Sequence, residues 1–279
     1  MIGELAASGT AAAWGAADYC GGKASRWANA PVVVVVSQLC SLPLLAVALL
    51  LTADGWPGSP AIGWGFLAGL CGGVGLVLLY RALAAGIMSV VAPTTAVTAA
   101  SIPLVVGLLS DRPPSAVALA GAGLAVLAIG LVSAVPTGSD VRPSARILLL
   151  SLAAGVAFGL FYILLAPVGP DAGLWPLLGI RGGSLLVAVA LVLPSAATLR
   201  LPGPSVPWAI TAGALDITAN ASFLAAVYYG LLSVVGPIAS LYPAGTVLLA
   251  VIVDRERLRP LQTIALGLAA LALVLTHAG

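Results

Sequence analysis

Long apolar segments follow one another along almost the whole chain, with short links between them. Crossing about 30 Å of hydrocarbon takes about 20 helical residues, and ten segments approach this length. They lie near residues 4–23, 31–52, 61–84, 87–109, 115–135, 146–167, 174–194, 207–229, 231–253 and 261–277. The runs do not alternate apolar and polar residues as strands do, so they predict helices, which satisfy their own backbone hydrogen bonds. The pattern predicts an all-α integral membrane protein with ten transmembrane helices.

The second half of the chain repeats the first. When the sequence is shifted by 144 residues, 11 of the 41 positions from 64 to 104 meet an identical residue without a gap, Pro93 and Pro237 among them. This repeat predicts two five-helix halves, residues 1–137 and 145–279. Because five is an odd number, the second half must enter the membrane upside down relative to the first. Inverted repeats of this kind are the architecture of many secondary transporters.

Composition and charge agree with a membrane location. Hydrophobic residues make up 61% of the chain and charged residues 7%, and the mean hydropathy is +1.16. These values predict a multi-pass protein of the cell membrane whose main partner is the lipid bilayer. The net charge of +2 comes from dispersed residues, so a nucleic acid is not expected as a partner. The sequence leaves both a monomer and a homodimer open.

Three ionisable residues lie deep within predicted spans: Asp18, Arg181 and Asp216. A charge inside the membrane is costly, so it usually faces a cavity or a partner. Counting 1.5 Å per helical residue places both carboxylates near the midplane. Arg181 is shallower, but its long side chain could reach toward them. The alternative is purely structural: either carboxylate pairs with Arg181 or a hydroxyl and only stabilises the bundle.

Other polar and aromatic side chains are predicted at the same depth. Trp14 precedes Asp18 by one helical turn, and Asn220 follows Asp216 by one turn. Thr98 and Tyr242 lie about halfway along their own spans. Together with the three ionisable residues, these four are the candidate substrate-binding or coupling residues.

Glycines and prolines shape some of these spans. Glycines recur at every fourth position from Gly65 to Gly73 and form a flat stripe on which a neighbouring helix can pack closely. Pro93 and Pro237 are equivalent positions of the two repeats, and Pro103 and Pro243 provide further helix breaks in the same pair of spans. We interpret the four prolines as gating elements for alternating access. Static kinks that only fit the packing are the competing interpretation.

The candidate residues favour a secondary transporter, in which Asp18 or Asp216 exchanges a proton as substrate binds and leaves. The sequence lacks the ATP-binding pattern G-x-x-x-x-G-K-[ST]. Its one histidine and three cysteines form no metal-binding or cofactor-binding motif, so no cofactor is expected. An intramembrane aspartyl enzyme is the competing class, but Gly213 to Asp216 reads GALD rather than G-x-G-D, so we predict no enzyme. A membrane scaffold would not explain the paired prolines.

The substrate class stays open between two alternatives. A cavity with both charge signs suits a zwitterionic amino acid, whereas Trp14 and Tyr242 would stack on a cationic drug. The low aromatic content of the chain favours small metabolites.

Several segments resemble the EamA-like branch of the drug/metabolite transporter superfamily. They are Trp14 to Ser25 (WGAADYCGGKAS), Ser240 to Gln262 (SLYPAGTVLLAVIVDRERLRPLQ), and the pattern G-x-x-S-V-V-x-P that begins at Gly86 and at Gly230. This resemblance implies a ten-helix permease that exports metabolites, often amino acids, or drugs. It also implies functional roles for Arg181 of the seventh span and for Glu256 of the last link. The first-repeat counterpart of Arg181 is Ser37, so the two repeats do not carry equivalent arginines and a symmetric role for Arg181 is not expected.

Overall fold

The structure is a computed structural model that describes residues 1–25, 27–52, 55, 58–85, 88–110, 115–133, 145–193, 201–254 and 260–278. Nearly all of these residues are helical, and they include no strand. The eleven helices found among them are α1 (Ile2–Ser25), α2 (Ala30–Thr52), α3 (Ser59–Ala85), α4 (Met88–Ser110), α5 (Ala116–Ser133), α6 (Ala145–Leu165), α7 (Pro176–Val192), α8 (Val206–Tyr229), α9 (Leu232–Ala239), α10 (Tyr242–Asp254) and α11 (Pro260–Ala278).

Several of these helices have the length and composition of membrane spans. Within the described residues, four segments are long and apolar enough to cross a bilayer: Pro31–Thr52, Pro60–Leu79, Ala145–Leu165 and Gly203–Tyr229. Shorter apolar helical segments occur in α4, α5, α7 and α11. Large apolar side chains such as Leu50, Leu109 and Leu149 are exposed on the outside of the bundle, where a bilayer would cover them. The chain is an all-helical membrane protein.

The ninth predicted span is two helices rather than one. Helix α9 ends at Ala239 and α10 begins at Tyr242, with Ser240 and Leu241 between them. Pro243 explains the break, because it has no N–H to donate to the carbonyl of Ala239 and its ring would clash with that carbonyl. The equivalent helix α4 continues through both of its prolines, so the expected break at Pro103 does not occur.

Helices of the two halves pack mainly on each other. The most extensive contacts join α1 to α8, α3 to α6 and α7, α4 to α6, and α5 to α11. The pattern is preserved when each helix is replaced by its counterpart 144 residues along the chain. The pair α1 and α8 then becomes α6 and α3, and the pair α2 and α8 becomes α7 and α3, all of which are in contact. Neither half therefore forms a bundle of its own.

Glycines allow α3 and α7 to approach until their backbones touch. A side chain at Gly69 would overlap the backbone of Ile180, and one at Gly183 would overlap the backbone of Phe66. Gly65 and Gly179 make the same kind of contact one turn earlier. We call these four residues the glycine seam. The stripe predicted on the third span thus packs a helix of the other half at backbone distance.

Candidate functional site

A cavity of about 110 Å³ lies inside the bundle, where helices of both halves meet. A single water needs roughly 10–15 Å³ of such volume, so the cavity is large enough for several waters or a small organic molecule. Its lining residues are Trp14, Asp18, Val34, Gln38, Gly69, Gly72, Gly73, Leu76, Leu79, Phe158, Phe161, Tyr162, Ile180, Arg181, Ser184, Asp216, Asn220 and Tyr242. Most of them are apolar, and the three charged ones are Asp18, Arg181 and Asp216.

The structure brings together six of the seven residues that the sequence nominated for binding or coupling. Trp14, Asp18, Arg181, Asp216, Asn220 and Tyr242 all line the cavity. Thr98 does not: its hydroxyl donates to the Thr94 carbonyl at 2.6 Å, and its side chain packs where α4 crosses α6 at Gly155. Because Gly155 has no side chain, α4 approaches α6 closely and Thr98 is held in that helix crossing.

Arg181 and Asp216 form an ion pair in the cavity wall. The guanidinium Nη2 lies 2.6 Å from Asp216 Oδ2, and Nη1 donates to the side-chain oxygen of Gln38. Ser184 donates to the same Gln38 oxygen at 3.2 Å. The Arg181 side chain is 1% exposed and that of Asp216 is 29% exposed. The network joins α2 of the first half to α7 and α8 of the second. This pairing is the one expected if Asp216 stabilises the bundle through Arg181.

Asp18 differs from Asp216 in its surroundings. It lies in the C-terminal third of α1, it is exposed to the cavity, and it makes no hydrogen bond or ion pair within the described residues. The next turn of the helix toward the N-terminus carries Trp14, which lines the same cavity. The two carboxylates therefore divide into one that is paired and one that is available.

An aromatic cluster contributes four rings to the cavity lining, those of Trp14, Phe161, Tyr162 and Tyr242. Trp14 stacks on Tyr162 with ring centroids 5.8 Å apart, and Tyr242 meets it edge-on at 6.4 Å. Phe161 and Phe223 complete the cluster, each with its ring centroid within 6.2 Å of that of Trp14. These five rings come from α1, α6, α8 and α10, so their proximity is a product of the tertiary structure. The low aromatic content of the chain gave no sign of this concentration.

Sequence reasoning missed several lining residues that the repeat could have found. Adding 144 to Trp14 gives Phe158, and adding 144 to Asp18 gives Tyr162; all four line the cavity. Gly72 and Leu76 are likewise the equivalents of Asp216 and Asn220. Equivalent positions of the two halves therefore face the same space. Gln38 and Ser184 carried no such signal, because only their contacts with the guanidinium network distinguish them.

Three of the predicted gating prolines, Pro103, Pro237 and Pro243, do not line the cavity. Pro103 packs on Gly236, where a Cβ atom would lie 2.7 Å from the proline ring, and Gly236 precedes the buried Pro237. The α4–α9 crossing thus contains one of these prolines from each half. Pro243 lies at the start of α10, and Pro93 lies in α4. Glu256, for which the resemblance implies a role, is outside the described residues.

No cofactor site is evident in the described part of the chain. Within it, no group of three His, Cys, Asp or Glu side chains is placed to hold a metal ion. The guanidinium of Arg181 already contacts Asp216 and Gln38. What the cavity offers chemically is one free carboxylate, one ion pair and a wall of aromatic faces. This combination suits reversible binding of a small polar or cationic organic molecule.

Comparison with known proteins shows a shared fold. The chain matches no protein-family model, and no curated protein matches it in sequence. A solved structure described only as "Crystal structure of protein" is similar to it with a TM-score of 0.81. The match covers 99% of this chain and 96% of that chain at 13% sequence identity. At this identity the similarity establishes a shared fold along the whole chain and nothing about activity.

Proposed function

We propose that the protein is a secondary transporter of the cell membrane that moves small metabolites such as amino acids by alternating access. The observation that carries the proposal is the cavity inside the bundle, which combines charged and aromatic side chains inside an otherwise apolar membrane protein. Binding sites between the two halves are the usual arrangement in secondary transporters. We further propose membership in the EamA-like branch of the drug/metabolite transporters, on the sequence resemblance given above.

The proposed architecture is ten transmembrane spans arranged as two inverted five-helix repeats. Its support is the repeat in the sequence together with the exchange of equivalent helix contacts in the fold. Equivalent residues of the two halves also face the same cavity, as expected when a pseudo-two-fold axis passes through it. The ninth span is then the discontinuous pair α9 and α10, interrupted beside the cavity residue Tyr242.

The proposed mechanism couples binding to rearrangement of the interrupted span. The break between α9 and α10 and the proline-rich α4–α9 crossing provide places where helices can change angle without unfolding. Protons are the proposed coupling ion, exchanged at Asp18 or Asp216. An aspartyl enzyme would need two carboxylates that share one proton. The pairing of Asp216 with Arg181 at 2.6 Å favours transport over that chemistry.

A second candidate is a multidrug or cation exporter of the same superfamily. The aromatic cluster favours it, since aromatic faces attract organic cations. Both candidates share one transport cycle and differ only in what the cavity accepts. A flux measurement with both substrate classes therefore separates them.

Charge movement in reconstituted proteoliposomes on a solid support tests the proposed function. We expect transient currents with either pooled amino acids or pooled cationic drugs, altered by a pH gradient, and a reduction of at least about tenfold in Asp18→Asn because the cavity loses its free charge. Asp171→Asn is the matched control, because this substitution makes the same chemical change in an exposed turn outside the cavity. Absence of current and of radiolabel uptake with both pools would contradict transport of these classes.

A further inference from the structure

The charged residues of the cavity differ in how accessible they are. Arg181 is 1% exposed and already contacts Asp216 and Gln38. Asp18 is exposed to the cavity and has no such partner within the described residues. A ligand in the cavity therefore finds one exposed, unpaired carboxylate, whereas the guanidinium is buried and already paired. The three charged lining groups sum to a formal charge of −1, from two carboxylates and one guanidinium.

Aromatic rings line the same cavity as this carboxylate. Trp14 lies one helical turn from Asp18, and its ring packs against Tyr162 and Tyr242 at 5.8 and 6.4 Å. The faces of tryptophan and tyrosine attract cations, most strongly where water is excluded. The same rings offer an apolar surface for the rest of a ligand. The carboxylate and the rings thus favour the same chemical group, a positively charged amine attached to an apolar body.

A ligand carboxylate finds no equivalent partner. The Arg181 side chain is 1% exposed and its two Nη atoms already contact Asp216 and Gln38, so a ligand carboxylate reaches the guanidinium only if side chains of the cavity wall move aside. Until that happened, the added negative charge would face two aspartates. Burying an unpaired charge of this kind is costly. The cavity therefore discriminates against zwitterions and anions of otherwise similar shape.

Building on the proposed transport function, we propose that the substrate is an organic amine without a carboxylate, whose ammonium group pairs with Asp18 and whose apolar body packs on the aromatic cluster. Asp18 is then the specificity-determining residue. The Arg181–Asp216 pair has a different role, which is to hold α2, α7 and α8 together around the site. The transporter of the proposed function would then prefer amines over zwitterionic amino acids as substrates.

Equilibrium binding of three related probes to the purified full-length protein tests this assignment. Tyramine, tyrosine and 3-(4-hydroxyphenyl)propionate share one phenol ring and differ only in their charged groups. We expect tyramine to bind at least about tenfold more tightly than tyrosine, and the propionate more weakly still. Asp18→Asn should lower tyramine affinity at least about tenfold, Asp18→Glu should retain part of it, and the control Asp171→Asn should bind as wild type.

The binding results either support or overturn the assignment of an amine to Asp18. Tyrosine or the propionate binding as tightly as tyramine, no tyramine binding at all, or unchanged binding in a well-folded Asp18→Asn would overturn the amine assignment. Vesicle flux separates this failure from failure of the proposed function. Flux of amino acids without tyramine binding would retain the transporter and remove the amine site. Asp18-dependent tyramine binding with no flux of any probe would retain the site and remove the transporter.

Discussion

Asp216→Asn is expected to lower the free energy of unfolding by about 2–4 kcal/mol, because it leaves the Arg181 guanidinium buried without a counter-charge. Losing one partner of a buried ion pair typically costs more than the pair contributes, since the remaining charge keeps its full desolvation cost. The partial exposure of Asp216 to the cavity places the expected loss below that of a fully buried pair. Thermal unfolding of the purified protein in detergent, followed by fluorescence, measures the effect.

The double variant Arg181→Met with Asp216→Leu is the control for this explanation. Replacing both charges by apolar side chains removes the desolvation cost together with the attraction, so stability should return to within about 1 kcal/mol of wild type. Gln38 retains Ser184 as a donor in this variant. A double variant that is as unstable as the single one would show that the side chains act through shape rather than charge.

Gly183→Ala is expected to destabilise the fold by about 1–3 kcal/mol, because the added methyl group overlaps the backbone of Phe66 and forces α7 away from α3. The main chain cannot move aside as the end of a flexible side chain can. We also expect transport to fall, since the glycine seam joins the two halves beside the cavity. Stability is measured by thermal unfolding and flux by vesicle assay.

The neighbouring residue provides the matched control for the glycine seam. A Cβ atom at Gly182 would lie 3.5 Å from the ring of Phe66, which is ordinary contact. Gly182→Ala should therefore leave stability unchanged or raise it by up to about 1 kcal/mol through the helix preference of alanine. Equal destabilisation by the two substitutions would contradict the seam and indicate a general intolerance of α7 to side chains.

The helices were predictable from the sequence because continuous apolar runs of this length admit few structures in a membrane. Nine of the ten predicted spans correspond to one helix each, within a few residues at their ends. The ninth differs because a hydropathy pattern counts apolar residues and does not register a missing backbone donor. Pro243 was identified in advance as a helix breaker, whereas Pro103 of the same kind lies within a continuous helix. Local sequence alone does not distinguish the two prolines.

The candidate site was only partly predictable. The three ionisable residues were identified because a charge in the membrane is costly. The two carboxylates share a depth near the midplane, and the side chain of the shallower Arg181 is long enough to reach toward them. Which carboxylate pairs with Arg181 depends on how α7 and α8 are rotated about their axes, and depth carries no such information. Thr98 was chosen on depth alone, and it faces Gly155 instead of the cavity. Only Trp14 and Tyr242 of the aromatic cluster were predicted, because its rings come from four helices that are distant in the sequence and meet only in the fold.

The sequence by itself determined that this chain is an all-helical membrane protein with an internal repeat, and that its intramembrane charges need partners or a cavity. These conclusions follow from local properties: apolar length, residue identity at a fixed offset, and the cost of a charge in lipid. Only the tertiary structure decided that Asp216 is paired, that Asp18 is left unpaired in a cavity lined by aromatic rings, and that glycines bring α3 onto α7 at backbone distance. Those outcomes depend on the rotation and packing of helices distant in sequence, which no local pattern encodes.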